Sequence, residues 1–272
     1  MHSSDNRPTF VVVIQARSSS TRLPGKVFLP LVGKPLLVRM VERVGLAKLA
    51  DVVVVATSTE PDDDAIVTLC NEHSIPVVRG SLNDLLERHY VAGKQYNAKY
   101  VVKIPSDCPL IDPKVIDKVL QYTLDTEGKF DFISNLHPAT YPDGNDVEVM
   151  PIEMVELAVN EATKQIEREH TTPFFWDNPD RFLIGSVVWE SGLDYSLSHR
   201  FTIDYKEDYL FIEAIYNELY EKNPAFSMDD ILELLEKKPE IYQLNSEYCG
   251  VNWYRNHLSE LQTIDETKTK QL

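Results

Sequence analysis

The first hundred residues alternate between short apolar runs and stretches with helical periodicity. The runs "TFVVVIQ" (9–15) and "DVVVVAT" (51–57) are rich in β-branched residues, as buried strands are. Between them, apolar residues recur at the spacing of one helix face, at Leu36, Leu37, Met40, Val41 and Val44. A strand, a helix and a second strand in this order predict a βαβ unit and a parallel sheet.

The same alternation continues to about residue 104. The pattern predicts a helix near 62–73, a strand at 75–78, a helix over 82–96 and a strand at 100–104. Four strands with helices between them predict an α/β layer of the type that binds nucleotides.

The pattern becomes irregular between about residues 130 and 200, where short β-like runs surround a helix near 151–163. No linker rich in glycine, serine or proline marks a boundary there, so we interpret this segment as an excursion from the main sheet. We therefore expect a single domain over residues 1–240, followed by a C-terminal extension over 241–272.

The chain becomes regular again after the excursion. The strand-like "RFTI" (200–203) precedes amphipathic helices predicted near 205–221 and 227–237, which are expected to return to the sheet. The polar end of the chain, "TIDETKTKQL" (263–272), is expected to fray.

Composition narrows the range of functions. The 272 residues carry 43 acids against 27 bases, a formal charge of −16, which disfavours a broad nucleic-acid or anionic-membrane surface. No run is long enough for a membrane helix, and the first residues do not resemble a secretory signal, so we expect a cytoplasmic protein. The three cysteines are far apart and indicate neither a disulfide framework nor a zinc site.

One loop is basic although the chain as a whole is acidic. The segment "IQARSSSTRLPGK" (14–26) leaves the first predicted strand, and residues 16–34 contain four bases and no acid. Ligands of open α/β sheets bind at the carboxyl ends of strands, so the loop is a candidate anion site. Its glycine positions fit neither a Walker A loop nor a dinucleotide fingerprint. Side chains must then neutralise the phosphates, and Arg17, Arg22 and Lys26 suit a triphosphate, although a solvated surface loop is the alternative.

Triphosphate chemistry normally needs Mg²⁺, which prefers one or two carboxylates together with phosphate oxygens and water. Asp107 follows the predicted strand "YVVKI" and Asp204 follows "RFTI", so both are candidate ligands. Each has an alternative role as a turn former or helix cap. Asp112 and the run Asp62–Asp64 fit helix starts and are not counted as metal ligands.

Candidate acceptor-binding residues lie in the irregular segment. The run "YPDGNDVEV" (141–149) and the helix "QIEREHTTPFFW" (165–176) together supply Tyr141, Asp143, Asp146, Glu148, Arg168 and His170. This mixture suits a hydroxylated, anionic small molecule. Alternatives remain, because Asp143 could form only a turn, Glu148 could lie on the solvent face of a strand, and His170 could be a packed or surface histidine.

Several motifs together resemble a known family. "IQARSSSTRLPGK" followed by "LVGKPLL" resembles the opening of the cytidylyltransferases that activate acidic sugars, and most closely the subgroup of spore coat polysaccharide biosynthesis protein F. Further matching motifs follow in order: "RGSLNDLLERHY" (79–90), "SDCPLID" (106–112), "YPDGNDVEV" (141–149), "REHTTP" (168–173) and "FTIDYKEDY" (201–209). The chain departs from the family pattern at Ser18, Ser106 and Asn145.

The resemblance implies a GT-A-like, Rossmann-type nucleotidyltransferase fold of the α/β class with a mostly parallel sheet. It also implies a homodimer formed through the excursion, and transfer of CMP from CTP to an acceptor with release of pyrophosphate, for a surface polysaccharide.

The resemblance also assigns residues to the nucleotide. It implies that Lys26 and Arg17 are catalytic and hold the triphosphate with help from Arg22, and that Asp107 and Asp204 bind Mg²⁺. The nucleotide site would also include Arg79, Gly80 and Ser81, near the base, and Ser106 beside Asp107.

Two other functions remain open at this point. A glycosyltransferase of the same fold would use a sugar nucleotide, but the usual mid-chain DxD metal motif is matched only superficially by Asp62–Asp64. A non-catalytic nucleotide-binding protein is the second alternative.

Overall fold

The computed structural model describes residues 7–272 as an α/β protein. Its strands are β1 (Phe10–Gln15), β2 (Pro30–Leu31), β3 (Lys34–Pro35), β4 (Val52–Ser58), β5 (Val77–Gly80), β6 (Tyr100–Pro105), β7 (Phe132–Ser134), β8 (Glu148–Pro151) and β9 (Ile184–Ser186). Its helices are α1 (Leu36–Val44), α2 (Asp64–Glu72), α3 (Leu85–Gln95), α4 (Pro113–Asp125), α5 (Ile152–Glu161), α6 (Gln165–His170), α7 (Pro173–Trp176), α8 (Lys206–Leu219), α9 (Met228–Lys237) and α10 (Pro239–Tyr242). None of these helices is both long and apolar enough to cross a membrane.

Seven strands form one sheet in the order β5-β4-β1-β6-β8-β7-β9. Neighbours are parallel from β5 to β6, and β8 is the antiparallel member between β6 and β7. The chain starts in β1, moves outward through β4 and β5, and then crosses back to β6 on the other side of β1. The order of strands therefore reverses between β1 and β6, and this is where ligands bind in open α/β sheets.

Both faces of the sheet are buried, which explains the uninterrupted apolar runs of the first strands. In β1, Phe10, Val12 and Ile14 belong to the hydrophobic cluster under α1, α2 and α4. The alternate residues Val11 and Val13 belong to the cluster under α3, α5 and α7. A third cluster packs α8 and α9 against the start of α1 and the loop before α4.

The first four strands of the sheet and the helices between them were predicted correctly from the sequence. The excursion is more closely integrated than expected, because its short strands β7, β8 and β9 complete one edge of the main sheet.

Two expectations are wrong. "RFTI" (200–203) is not a strand, since it makes only an isolated bridge between Asp143 and Arg200. The polar tail does not fray, because Thr269 is buried and the backbone N–H of Lys270 donates to Gly250 O at 2.7 Å. Long-range contacts, which the local pattern does not encode, determine both outcomes.

Candidate nucleotide and acceptor site

Lys26 lies where the basic loop meets two acidic side chains. Gly25, with φ of +69°, turns the loop into a short 3₁₀ segment that begins at Lys26. The Lys26 Nζ donates to Ile203 O at 2.6 Å and to Asp204 Oδ1 at 3.1 Å, and Asp107 Oδ2 lies 3.7 Å away. Lys26 and both predicted metal ligands therefore share one site, at the carboxyl ends of β1 and β6.

Asp204 is surrounded by cations. Besides Lys26, its Oδ2 lies 2.7 Å from Arg22 Nη2 and 3.3 Å from Arg200 Nη2. Burial acts to raise the pKa of Asp204, but Lys26, Arg22 and Arg200 outweigh it and hold the pKa below its ordinary value. Asp204 is therefore a carboxylate at neutral pH.

Arg200 connects the two parts of the site, and sequence reasoning missed it. Its buried guanidinium contacts Asp208 at 2.9 Å, Asp143 at 3.3 Å and Asp204 at 3.3 Å, and donates to Val251 O at 2.6 Å. Asp208 in turn accepts from the backbone N–H groups of Asp204 and its neighbour, which fixes the turn into α8. The available signal was an arginine directly before the motif "FTIDYKEDY" (201–209).

Arg17 projects from the same loop into solvent and forms no salt bridge with any residue in the described range. It lies near Arg88 on α3, a second residue that sequence reasoning missed. Arg88 is buried, and its Nε and Nη1 have no hydrogen-bond partner among residues 7–272. Burial, together with the positive charge of Arg17, lowers the pKa of Arg88 to about 10. An anionic ligand between the two arginines would relieve their repulsion.

Asp63 anchors the basic loop to the sheet. Its Oδ1 accepts from the backbone N–H and the hydroxyl of Ser18 at 2.7 and 2.8 Å, and its Oδ2 accepts from the hydroxyl of Ser58 at 2.5 Å. The serine that departs from the family pattern at position 18 thus forms a specific contact here. The acidic run at 62–64 serves structure, as expected, although through this anchor more than through the helix dipole.

The segment from Arg79 to Ser81 comprises the last two residues of β5 and the residue after it, at the same edge of the sheet. Arg79 is engaged by the protein itself, with Nε on Ser58 O at 2.8 Å and Nη1 beside Asp64 at 2.7 Å. A side chain at Gly80 would approach Arg88 to 2.7 Å, so glycine lets α3 pack closely. Ser81 is exposed and stays available to a ligand.

Ser106 and Asp107 follow β6 directly. Ser106 is buried, while the side chain of Asp107 is about one-third exposed and turns toward Lys26. Asn145, another departure from the family pattern, is a structural residue whose Oδ1 accepts from the backbone N–H of Asp112 at 2.9 Å.

Asp143 and Asp146 lie on the excursion beside these carboxylates. Burial raises the pKa of Asp146 to about 7, with a further contribution from the charge of Asp107. Burial also raises the pKa of Asp143 well above its ordinary value, although Arg200 opposes this. Between them, Gly144 has φ of +103°, and a side chain there would approach the carbonyl carbon of Phe201 to 2.8 Å. Glycine therefore allows the acidic loop to lie against the segment that carries Arg200.

Two predicted acceptor residues are engaged by the protein itself. Glu148 is buried and paired with Lys103 across β8 and β6, so it does not lie on a solvent face of its strand. Arg168 donates to Val159 O at 2.7 Å and to Ala162 O at 2.8 Å, at the end of α5, and lies 3.1 Å from Asp84. Neither Glu148 nor Arg168 lines the cavity described next.

A cavity of about 330 Å³ opens beside the acidic loop. Tyr141, Asp143 and Asp146 line it from the excursion, and Trp253 and Tyr254 line it from the C-terminal extension. The volume is of the size that small-molecule sites have. Three of the predicted acceptor residues therefore share one chamber with the extension.

His170 is packed at the edge of this chamber. Its ring stacks on Trp253, with centroids 3.8 Å apart, and burial lowers its pKa to about 3, so it is neutral at pH 7. The next residue, Thr171, has φ of +69° and ψ of −57° and closes a γ-turn in which the N–H of Thr172 donates to His170 O at 2.8 Å. The alternative of a packed histidine is the observed one.

The metal site predicted from the sequence rests on two carboxylates. No group of three or more His, Cys, Asp or Glu side chains within residues 7–272 is arranged to hold a metal. Asp107 and Asp204, however, approach the same ammonium group, so their oxygens converge on one point. Two carboxylates completed by phosphate oxygens and water are a donor set that fits Mg²⁺.

Comparisons with known proteins agree with this geometry. Residues 11–248 match the family described as "Cytidylyltransferase". The chain is 30% identical over 233 residues to the spore coat polysaccharide biosynthesis protein SpsF of Bacillus subtilis, covering 84% of this chain and 94% of that protein. It is 41% identical over 118 residues to 3-deoxy-manno-octulosonate cytidylyltransferase of Zea mays, covering 42% of this chain and 38% of that protein.

A solved cytidylyltransferase from Leptospira borgpetersenii superposes with a TM-score of 0.81 at 34% identity, covering 86% of this chain and 97% of that one. The predicted fold and the resemblance to the acidic-sugar and spore-coat enzymes are thus confirmed. This chain belongs to the cytidylyltransferase family of nucleotidyltransferase enzymes.

Proposed function

We propose that the enzyme transfers CMP from CTP to a hydroxylated, acidic small molecule and releases pyrophosphate. The observation that carries this proposal is the position of Lys26, whose ammonium lies between Asp107 and Asp204 at the reversal of strand order. A cation beside two converging carboxylates suits a reaction in which charge develops on a departing pyrophosphate.

We assign the triphosphate to Arg17, Arg22 and Lys26, with Arg88 beneath them. Arg17 and Arg22 are exposed, so both can turn toward a ligand without breaking buried contacts. A bound triphosphate competes with Asp204 for Arg22 and Lys26, which leaves the carboxylates of Asp107 and Asp204 for Mg²⁺. When bound there, Mg²⁺ supplies charge neutralisation on the phosphates.

We place the acceptor in the chamber next to Asp143 and Asp146. Both acids line it and interact electrostatically with Asp107, so the chamber opens toward the nucleotide end of the site. A partly buried carboxylate with a pKa near 7 is suited to accept the proton of an attacking hydroxyl, and Asp146 is our candidate for that role.

The glycosyltransferase alternative loses its candidate metal motif. Asp63 is taken up by Ser18 and Ser58, and Asp64 pairs with Arg79. The acidic run therefore presents no free pair of carboxylates to a sugar nucleotide. The family membership likewise favours nucleotidyl transfer.

The role in surface polysaccharide biosynthesis is supported by the name of the Bacillus subtilis relative. Homodimer formation and a cytoplasmic location stay predictions from the resemblance and the sequence.

The test mixes the purified enzyme with Mg²⁺, each of the four nucleoside triphosphates and a panel of sugar acids and sugar phosphates, and measures pyrophosphate. We expect release that depends on both CTP and an acceptor and is lost in Lys26→Met and Asp107→Asn. Release with another triphosphate would overturn the choice of CTP. Nucleotide binding without release over the whole panel would favour the non-catalytic alternative.

A further inference from the structure

The C-terminal tail, here residues 250–272, forms one wall of the acceptor chamber. About a third of the residues that line the cavity lie between 250 and 268, and all of these lie beyond residue 248, where the family match ends. The nucleotide end of the site, by contrast, lies entirely within the matched region. One wall of the acceptor chamber therefore lies outside the region that matches the family.

The tail is held firmly in place. Asp177, which is buried, accepts from the backbone N–H groups of Gln262 and Thr263, both at 2.8 Å, and from the Thr263 hydroxyl at 2.8 Å. The Asn252 side chain donates to Lys268 O at 2.9 Å, which ties the two ends of the tail together. A wall fixed by buried hydrogen bonds can define the shape of a ligand site.

The tail contributes both flat aromatic surface and charge. Trp253 stacks on His170, and Tyr254 meets Trp176 edge to face at 5.9 Å. The acids of the cavity lining are Asp143, Asp146 and Asp194, and Lys268 is its one lysine or arginine among the described residues. Lys268 forms no salt bridge within residues 7–272, although Asp265 senses its charge.

The other cation expected for the acceptor does not serve this chamber, because Arg168 is bound to the end of α5 and to Asp84. An acidic acceptor in the cavity would be repelled by Asp143 and Asp146 and attracted by Lys268. This asymmetry would orient the molecule, with a hydroxyl group toward the nucleotide and the anionic group toward the tail.

We propose that the tail selects the acceptor, and that Lys268 is a specificity residue that binds the acceptor's anionic group. The proposal rests on the function proposed above. Lys268 is exposed at the rim, so its loss weakens acceptor binding without disturbing the fold.

The test compares Lys268→Met and Lys268→Glu with the matched control Lys270→Met, whose ammonium bonds to Glu247 O outside the cavity. We expect the KM for the acceptor to rise about five- to tenfold in Lys268→Met and further in Lys268→Glu. The kcat and the KM for CTP stay within about twofold of wild type, and the control is unchanged. An acceptor KM that is equal in all variants, or a parallel rise in the KM for CTP, overturns the proposal.

A second readout separates this proposal from the proposed function. Binding of gluconate, N-acetylneuraminate, 3-deoxy-manno-octulosonate and glucose 1-phosphate is followed by tryptophan fluorescence without CTP, because Trp176 and Trp253 line the cavity. Saturable binding that weakens in Lys268→Glu supports the proposal even if no pyrophosphate is released. Binding that the substitution does not change, or no binding of any probe to wild type, overturns it.

Discussion

The nucleotide half of the molecule and its acceptor half hold their charges in opposite ways. In the nucleotide half, which comprises β1, β4, β5, β6 and the loops after them, the arginines of the basic loop are accessible, and the Arg22 side chain is 40% exposed. In the acceptor half, formed by residues 130–200 and the tail, the partly buried Asp143 and Asp146 lie near Arg200, whose side chain is 1% exposed.

The difference teaches which substitutions separate function from stability. An exposed cation such as Arg17, which has no salt bridge within residues 7–272, gains a charged partner when a phosphate binds, so removing it weakens the reaction and leaves the fold intact. Buried ionic groups depend on one another, so removing one leaves an uncompensated charge. Substitutions in the acceptor half should therefore alter activity and stability together.

Arg200→Met tests this coupling with the largest expected effect. Asp208 would lose its buried partner, and Asp143 and Asp204 would lose a shared one, so the free energy of unfolding should fall by about 3–5 kcal/mol. Urea denaturation measures it. Arg181→Met, which breaks an exposed pair with Glu161, is the control and should change stability by less than about 1 kcal/mol. If Arg200→Met and Arg181→Met lost the same small amount of stability, the comparison between the two halves would fail.

Lys26→Met tests the other half. Because Lys26 lies between Asp107 and Asp204, its loss should lower kcat about 10²- to 10³-fold, the size seen when one transition-state donor is removed. The free energy of unfolding should also fall, by about 1–3 kcal/mol, because the Lys26 side chain is only 11% exposed and Asp204 would lose a partner. Lys34→Met is the matched control, since Lys34 belongs to the same basic segment but pairs with the exposed Glu42. The assignment of Lys26 fails if both variants retain wild-type turnover.

The sequence predicts the nucleotide half well because its information is local. Asp107 comes directly after β6 and Lys26 lies on the loop that leaves β1, and parallel strands bring their carboxyl ends to the same edge. Arg79 shows the limit of such reasoning: it lies near the carboxyl end of β5, but its guanidinium is bound by Ser58 and Asp64, and no local pattern reveals that contact.

The acceptor half was harder to predict because it is assembled from distant segments. Arg200 lies 57 residues from Asp143 and 51 from the carbonyl of Val251, and Asp177 holds a tail 86 residues further along. Polar composition suggested that this tail frays, whereas its backbone N–H groups are satisfied by one buried carboxylate. Pairings at such separations are fixed by packing and leave no periodicity in the sequence.

Asp146→Asn tests the buried charge through pH. The folded-state pKa of about 7 lies above the ordinary value of 3.8, so ionising Asp146 destabilises the fold increasingly as pH rises from about 4 to 7. The variant should therefore gain stability over wild type, by on the order of 2–3 kcal/mol more at pH 8 than at pH 5.

Urea denaturation without divalent cations at the two pH values measures this gain. His137 and His170, whose pKa values lie at about 3, destabilise both proteins equally below pH 6.5 and cancel in the difference. A gain in stability that is the same at both pH values would contradict the raised pKa of Asp146.

Arg17→Gln and Arg79→Gln give the smallest but sharpest comparison, because both arginines lie near the carboxyl ends of strands in the nucleotide half. Arg17 forms no salt bridge within the described residues, so its loss should raise the KM for CTP about tenfold and leave the urea midpoint unchanged. Arg79 donates to Ser58 O, so its loss should instead destabilise the fold by about 1 kcal/mol. Steady-state kinetics of the two variants measure the KM for CTP, and urea denaturation measures their stability. If Arg79→Gln raised the KM for CTP as much as Arg17→Gln with no loss of stability, Arg79 would belong to the nucleotide site as directly as Arg17, and its contacts with the β4 loop would be incidental.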